Sequence, residues 1–212
     1  MSKIYHFDSP FIYSSIVAEH QSLKRKFVPK IEKYVEHISQ PKEWACNCKS
    51  SFSYTQENID INRNVFGDNN EYFTNIIWKY FDSMLDEYPY LSKGIESSIC
   101  YSLWFNYYVK DQYQEVHNHI GNPFILNGKI HYKSYSGIYI LHQDFNEEGT
   151  IFYSSNEDVY KPHSELSTID KYQPKLEQGH ILIFPSNLSH YVAPAKGKRI
   201  TLSFNIASSY HN

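Results

Sequence analysis

The sequence predicts a β-rich α+β fold, in which two amphipathic helices support a sandwich or jelly roll of short strands. Three observations predict it. The 212 residues include 20 Tyr and 13 Phe but only 2 Met, a balance that favours strands and aromatic-lined interiors. Apolar residues recur at three- and four-residue spacings in two N-terminal stretches. From Ser98 onward the pattern changes to short apolar runs separated by Gly, Pro and Asn. A chain of this length can bury one good core and is short for two. One domain is therefore expected over 1–212, with 1–97 as mainly helical support and 98–212 as the jelly-roll core.

The first helix is expected from about Ser14 to His37, where Ile16, Val17, Leu23, Phe27, Ile31 and Val35 form the apolar stripe. Pro29 should kink or divide it, because proline lacks the N–H that the helix interior needs. The second is expected from about Glu71 to Leu91, on Phe73, Ile76, Ile77, Tyr80, Phe81 and Met84, with Pro89 marking its end. The polar stretch between them, including Ser50 to Tyr54 and Gly67 to Asn70, reads as irregular with at most one short strand. Seven strands follow, in the runs CYSLWFNYY, QEVHNHI, YSGIYIL, GTIFYSS, GHILIFP, HYVAP and RITLSFNIA. In the last of these, period-two alternation puts Ile200, Leu202, Phe204 and Ile206 on one face. Arg199, Thr201, Ser203 and Asn205 fall on the other. Residues Gly121 to Tyr135 and Asn156 to Gln178 read as long loops that could cover a site.

Charge and cysteine content exclude several function classes. A formal charge of −3, with basic residues scattered apart from Lys24, Arg25 and Lys26, gives no electrostatic grip on nucleic acid. That short run falls in a helix and reads as a solvated face. Three cysteines are an odd number, and Cys46 and Cys48 stand too close to pair comfortably, so no disulfide framework is expected. Cys100 alone does not supply the second pair that a zinc clip requires. The opening MSKIYHFDSP has no apolar core of a signal peptide, and no run approaches the roughly 18 apolar residues of a membrane span. The cytosol, that of a host cell if the source is viral, is the expected compartment, without a membrane partner. A homodimer stays open.

The residues that carry chemistry are histidines and one arginine. His117 and His119 stand two apart in a strand-like run, which would turn both imidazoles to one face. An H-x-H pair alone is weak evidence for a metal, but His190 follows the apolar run ILIF and a Pro185-Ser186 turn, a place that often displays a ligand. Arg199 lies nine residues further on, with Thr201 on the same polar stripe. A guanidinium inside a β-barrel needs an anion, and its planar fork suits a carboxylate. Pairing with an internal Asp or Glu, or a position at a wet mouth, would serve Arg199 equally well.

Four elements in order carry a resemblance: His117-Asn118-His119; Ser136-Gly137-Ile138-Tyr139; the run from Gly179 to His190, GHILIFPSNLSH; and Arg199-Ile200-Thr201-Leu202-Ser203-Phe204-Asn205. Together they resemble the 2-oxoglutarate- and iron(II)-dependent oxygenases of double-stranded β-helix fold, and within them a group of small oxygenases common in phages and marine bacteria. The resemblance covers Trp104 to Asn205. It implies Fe(II) and 2-oxoglutarate as cofactors and dioxygen as cosubstrate. The reaction it implies is hydroxylation of a C–H bond in a protein side chain or small metabolite that the sequence does not name. It further implies His117 as first ligand, His190 as distal ligand, and Arg199 with Thr201 on the distal carboxylate of 2-oxoglutarate. Tyr139 and Asn106 are candidate further contacts to the cosubstrate.

One departure stands out. Where the family's facial triad carries Asp or Glu two residues after the first histidine, this chain has His119. Either His119 ligates the metal itself, or an acid elsewhere (Glu115, Asp111 or Asp144) completes the set, or the register shifts to His119-Ile120-Gly121 and leaves an open coordination position. Two other functions compete: a non-catalytic jelly-roll module that binds a sugar or anion, and a three-histidine cupin-type dioxygenase without 2-oxoglutarate. Neither accounts for an arginine nine residues after the last histidine.

Overall fold

The structure, a computed structural model, describes residues 11–38, 40–41, 46–52, 65–67, 70–146, 149–153 and 171–211. In chain order its elements are β1 (Tyr13–Ile16), α1 (His20–Val35), β2 (Lys49–Ser50), α2 (Asn70–Glu87) and β3 (Ile95–Tyr108). There follow β4 (Gln114–His117), β5 (Phe124–Leu126), β6 (Lys129–Gln143), β7 (Thr150–Tyr153) and β8 (Lys171–Tyr172). β9 (His180–Pro185), β10 (Ser189–Val192) and β11 (Arg199–Tyr210) complete the chain. The described strands form two antiparallel sheets. The larger runs β1-β9-β6-β11-β3-β2 with β5 attached to β6, and the smaller runs β4-β10-β7-β8.

Helices and large sheet share one core. Leu23, Phe27, Ile31 and Val35 repeat every four residues along α1 and are buried. α2 buries Phe73, Ile76, Ile77, Tyr80, Phe81 and Met84, the full expected stripe. Both helices pack on the face formed by Tyr139, Leu141, Ile181, Ile183, Ile200, Leu202, Phe204 and Ile206. The opposite face of the sheet contributes Ile138, Ile140, Leu182 and Phe184, which meet Phe152 and Leu188 from the small sheet side. β9 and β11 are thus buried on both faces, as central strands of a covered sheet must be. Among the described residues, no helix is long and apolar enough to cross a membrane.

Several local expectations change. The stretch expected to open the first helix at Ser14 is instead β1, which pairs with β9 from Tyr13 opposite Ile183 to Ile16 opposite His180. Pairing along an open sheet edge outweighs the local helical pattern there. Pro29 does not divide α1. It lies exposed, so the carbonyl that loses its helical partner can face water. α2 ends at Glu87, and Pro89 opens a single 3₁₀ turn, Pro89–Ser92. The expected loop from Gly121 to Tyr135 holds the hairpin β5-β6, closed by Asn127 and Gly128 at φ 51° and 76°. Positive φ at both centres is the type I′ turn that Asn-Gly favours. Of the other expected loop, 156–170 lies outside the described residues, and 171–172 form β8. Cys46, Cys48 and Cys100 are free thiols.

Gly137 shows how closely β6 and β11 approach. It pairs with Phe204, and a Cβ placed on it would lie 2.0 Å from Phe204 Cζ. The ring is fully buried in the helix-side core and has nowhere to retreat. Gly137→Ala should therefore destabilise the fold by about 1–3 kcal/mol through overpacking. Urea unfolding would read this as a lower midpoint with little change in slope.

Candidate metal centre and anion pocket

Between the sheets lies a pocket of about 360 Å³, including its opening to solvent. Inward rows of two paired strands line one wall. Trp104, Asn106 and Tyr108 of β3 stand opposite Ser203, Thr201 and Arg199 of β11. The small sheet supplies Gln114, His117, Thr150, His190 and Val192, and His119 enters from the segment after β4.

The three histidines converge, though not by the expected route. β4 ends at His117, so strand alternation does not orient His119. His190 pairs with His117 while Val192 pairs with Gln114, a bulge that turns two β4 residues three apart toward the pocket. His119 is held where it leaves the strand by its backbone N–H, which donates to the Ser186 carbonyl at 2.8 Å. Its ring stacks on Trp104 at 5.7 Å between centroids and lies nearly parallel to His190 at 5.3 Å. The ligand atoms of the three side chains lie within 4.8 Å of one another.

Protonation favours metal binding. His117 Nδ1 donates to the Glu115 carbonyl at 2.8 Å, and His190 Nδ1 donates to the Leu188 carbonyl at 3.0 Å. A carbonyl only accepts, so each bond places the proton on Nδ1 and the lone pair on Nε2. Burial lowers the pKa of all three, and the neighbouring imidazoles lower His119 and His190 further. His119 falls to about 3. All three are neutral near pH 7, the state in which imidazole binds iron, zinc, nickel or copper. The donor set therefore fits a divalent metal.

The other end of the pocket is cationic. Arg199 is 1% exposed, donates from Nη2 to the Thr150 hydroxyl at 2.8 Å, and lies 6.0 Å from the Tyr108 ring centre. Thr150 pairs with Val192, two residues beyond His190. One pleat repeat, roughly 7 Å, thus separates the histidines from the arginine end. That interval suits a five-carbon dicarboxylate with one end on a metal and the other on the guanidinium. Asn106, 3% exposed, donates to Thr201 Oγ1 and Ser203 Oγ at 3.4 and 3.2 Å and accepts from Ser50 at 2.6 Å.

Of the residues expected at the site, His117, His119, His190, Arg199, Thr201 and Asn106 line the pocket together. Tyr139 does not. It pairs with Leu202, which alternation assigns to the helix side, and its hydroxyl meets His20 Nδ1 at 2.6 Å with Phe73 against its ring. None of the three carboxylates considered as a third ligand joins the cluster. Asp111 sits in the turn after β3, with φ 67°. Asp144 is exposed and bonded to His142 and to the Lys198 N–H. Glu115 supports His117 through its backbone carbonyl, and its carboxylate is not among the grouped ligand atoms. The sequence reading missed Trp104, Tyr108, Gln114 and Thr150. Trp104 is 2% exposed, and its indole N–H has no partner among the described residues.

Residues 102–205 match the model of the family described as "Putative 2OG-Fe(II) oxygenase". These residues form a 2OG-Fe(II) oxygenase domain. As an oxygenase of this family it uses Fe(II) and 2-oxoglutarate, with dioxygen as cosubstrate. Among solved structures, it is similar to a prolyl-4-hydroxylase of Pseudomonas putida, at 11% identity and TM-score 0.55, over 95% of this chain and 93% of that one. It is also similar to the viral collagen prolyl hydroxylase of Paramecium Bursaria Chlorella virus-1 in complex with 2OG, at 11% identity and TM-score 0.54, over 92% and 95%. HygX of Streptomyces hygroscopicus, with nickel and 2-oxoglutarate bound, aligns at 10% identity and TM-score 0.51, over 92% and 81%. At such identities the likeness concerns the fold, the double-stranded β-helix. No curated protein matches the chain. The family match displaces both rival readings, the binding module and the dioxygenase that does without 2-oxoglutarate.

Gly149 makes room for the cationic end. A Cβ on it would lie 1.4 Å from Arg199 Nη1, so any side chain there displaces the guanidinium. Because the far end of a flexible side chain moves rather than backbone, Gly149→Ala should barely alter the melting temperature. The apparent affinity of the oxygenase for 2-oxoglutarate should fall roughly tenfold, the weight of one charge-assisted hydrogen bond. Calorimetric titration with 2-oxoglutarate beside a thermal melt checks both halves.

Proposed function

We propose that His117, His119 and His190 hold the Fe(II) of this dioxygenase and that Arg199, with Thr201 and Asn106, holds the distal carboxylate of 2-oxoglutarate. The observation that carries this reading is the meeting, in one pocket, of three neutral imidazoles and one buried guanidinium a single pleat repeat apart. The reaction is hydroxylation of a C–H bond in a protein side chain or small metabolite. We take the unit to be a single oxygenase domain working in the cytosol.

Bound iron supplies dioxygen activation coupled to oxidative decarboxylation of 2-oxoglutarate to succinate and carbon dioxide. The chain's own residues bind, orient and exclude water. His117 and His190 present Nε2 because their Nδ1 protons are committed to backbone carbonyls. Phe152 and Phe184 pack against His190, at 5.7 and 5.0 Å between ring centres, and keep bulk water from that side. Arg199 fixes the cosubstrate's far end, and Thr201 and Asn106 offer hydroxyl and amide groups along its length. The Trp104 N–H adds a buried donor beside His119.

Anaerobic calorimetry tests the reading. 2-Oxoglutarate titrated into the metal-stripped protein should bind when iron(II) is present and much more weakly without it. His190→Ala should lose iron binding and turnover together. Arg199→Met should keep its iron but bind 2-oxoglutarate about 100-fold more weakly, as expected for a lost bidentate ion pair. Absence of 2-oxoglutarate binding to the wild-type protein under both conditions would sink the reading.

A further inference from the structure

The inward row of β3 runs on past the space that the cosubstrate fills. Tyr108 and Arg199 stand at one end of the paired rows, Asn106 and Thr201 come next, and Trp104 and Ser203 follow. Trp104 is thus two pleat repeats, roughly 13 Å, from the arginine end, whereas 2-oxoglutarate read between guanidinium and metal spans one. Burial also gives the pocket a direction. Arg199 and His190 are buried while His117 and His119 are half-buried, so the mouth opens at the histidine end. Trp104 therefore stands beside the mouth, beyond the reach of the cosubstrate.

Two donors at this mouth have no acceptor. The Trp104 indole is 2% exposed and firmly set, stacked on His119 at 5.7 Å and met edge-on by Phe52 at 5.0 Å. Its N–H has no hydrogen-bond partner among the described residues. Ser203, opposite it on β11, accepts from Asn106 at 3.2 Å instead. A buried N–H left unpaired is costly and rare in folded proteins, so an acceptor that arrives with a ligand is its natural partner. The second donor is Lys133 of β6, which is half-buried. Its stem lies against Gly121, two residues past His119: a Cβ on Gly121 would collide with Nζ and lie 3.0 Å from Cδ and Cε. Nζ stands 5.8 Å from the ring centre of Tyr101, three residues before Trp104 on β3. Among the described residues no carboxylate pairs with Lys133, whereas Lys129 on the same strand pairs with Glu96.

Indole N–H and ammonium only donate, so their ligand must accept. Charge narrows the choice. A divalent metal, dianionic 2-oxoglutarate and Arg199 together leave one net positive charge, Lys133 adds another, and no carboxylate lines the pocket to offset them. We propose that the mouth is the primary-substrate subsite and that the substrate carries a carboxylate: Lys133 takes the carboxylate, and the Trp104 N–H takes an oxygen nearer the carbon to be hydroxylated. This rests on the reading of the metal and cosubstrate ends, and goes beyond it by naming the substrate's chemical class and two residues that select it.

The test uses protein loaded with nickel(II) and 2-oxoglutarate, so that the arginine end is occupied and no turnover consumes the probe. The probes are the N-acetyl-L-amino acids and a capped Ala-Glu-Ala tripeptide, each beside its neutral counterpart with carboxamide in place of carboxylate. Calorimetry and ligand-observed NMR should find acids that bind at least about tenfold more tightly than their amides. Preference for the N-acetyl acids assigns a free acid or chain end; preference for the tripeptide assigns an acidic side chain. The best acid should bind roughly tenfold more weakly to Lys133→Met and to Trp104→Phe, and Lys133→Arg should recover most of the loss. Both weakened variants should hold 2-oxoglutarate as wild type does, since phenylalanine keeps a ring against His119. Equal binding of acids and amides, no binding of any acid, or unchanged acid binding in either variant would overturn the proposal. So would a loss of 2-oxoglutarate affinity in Trp104→Phe, which would give the N–H to the cosubstrate. Failure of wild-type protein to bind 2-oxoglutarate with metal present would fall on the earlier reading instead.

Discussion

Everything at the site depends on a strand that is buried on both faces and different on each. β11 pairs with β3 along one edge and β6 along the other. Its even-numbered residues, Ile200 to Ile206, bind the sheet to the helices, and its odd-numbered residues Arg199, Thr201 and Ser203 line the pocket. Period two makes the faces inseparable: a register slip of one residue would send the arginine into the helix core and a leucine into the site. The apolar face is thereby a specificity device for the polar one. Two flanking strands also hold Arg199, which could otherwise spend its rotamer freedom in water.

Electrostatically the pocket is graded along its length. At one end burial keeps three imidazoles neutral, and at the other a guanidinium stays charged whatever the pH. The described lining residues include no carboxylate. A divalent ion at the first end and the guanidinium at the second would present two positive centres, matched by a dicarboxylate and poorly matched by a monoanion or a neutral sugar. This is the physical link between the family's cosubstrate and this chain's residues.

The parts legible in the sequence were those written in strict periodicity. The α2 stripe and the alternation of β11 follow from spacing, because helix and strand geometry leave little choice once burial is fixed. The misses have equally local causes. The resemblance puts Tyr139 on the cosubstrate, yet it shares the helix-facing side with Leu202, because the β6–β11 register is a tertiary fact. Gln114 was invisible because a bulge puts it and His117 on one side, where strict alternation would separate residues three apart. The β5–β6 hairpin had a readable signal in Asn127-Gly128, overlooked inside a segment rich in other polar residues. Ile16 and Val17 fit the stripe that α1 continues, so spacing alone favours helix at β1, and only the open edge of β9 decides otherwise.

With His119 as the third ligand, as proposed, the charge at the centre changes. A facial triad with one carboxylate leaves a divalent metal with a net charge of about one, whereas three neutral imidazoles leave about two. In a pocket screened from water that difference is large, since opposite charges at contact attract several times more strongly than in bulk solvent. A dianionic cosubstrate that chelates the metal would supply the missing negative charge. Metal and 2-oxoglutarate should then be more strongly coupled than in a carboxylate site: each raises the other's affinity, by the same factor, because linkage between two binding equilibria is reciprocal. A neutral third ligand thus moves the burden of charge balance from the protein to the cosubstrate. The placement of His119, held by its backbone bond to Ser186 and by stacking on Trp104 rather than by a strand, is what makes that arrangement geometrically definite.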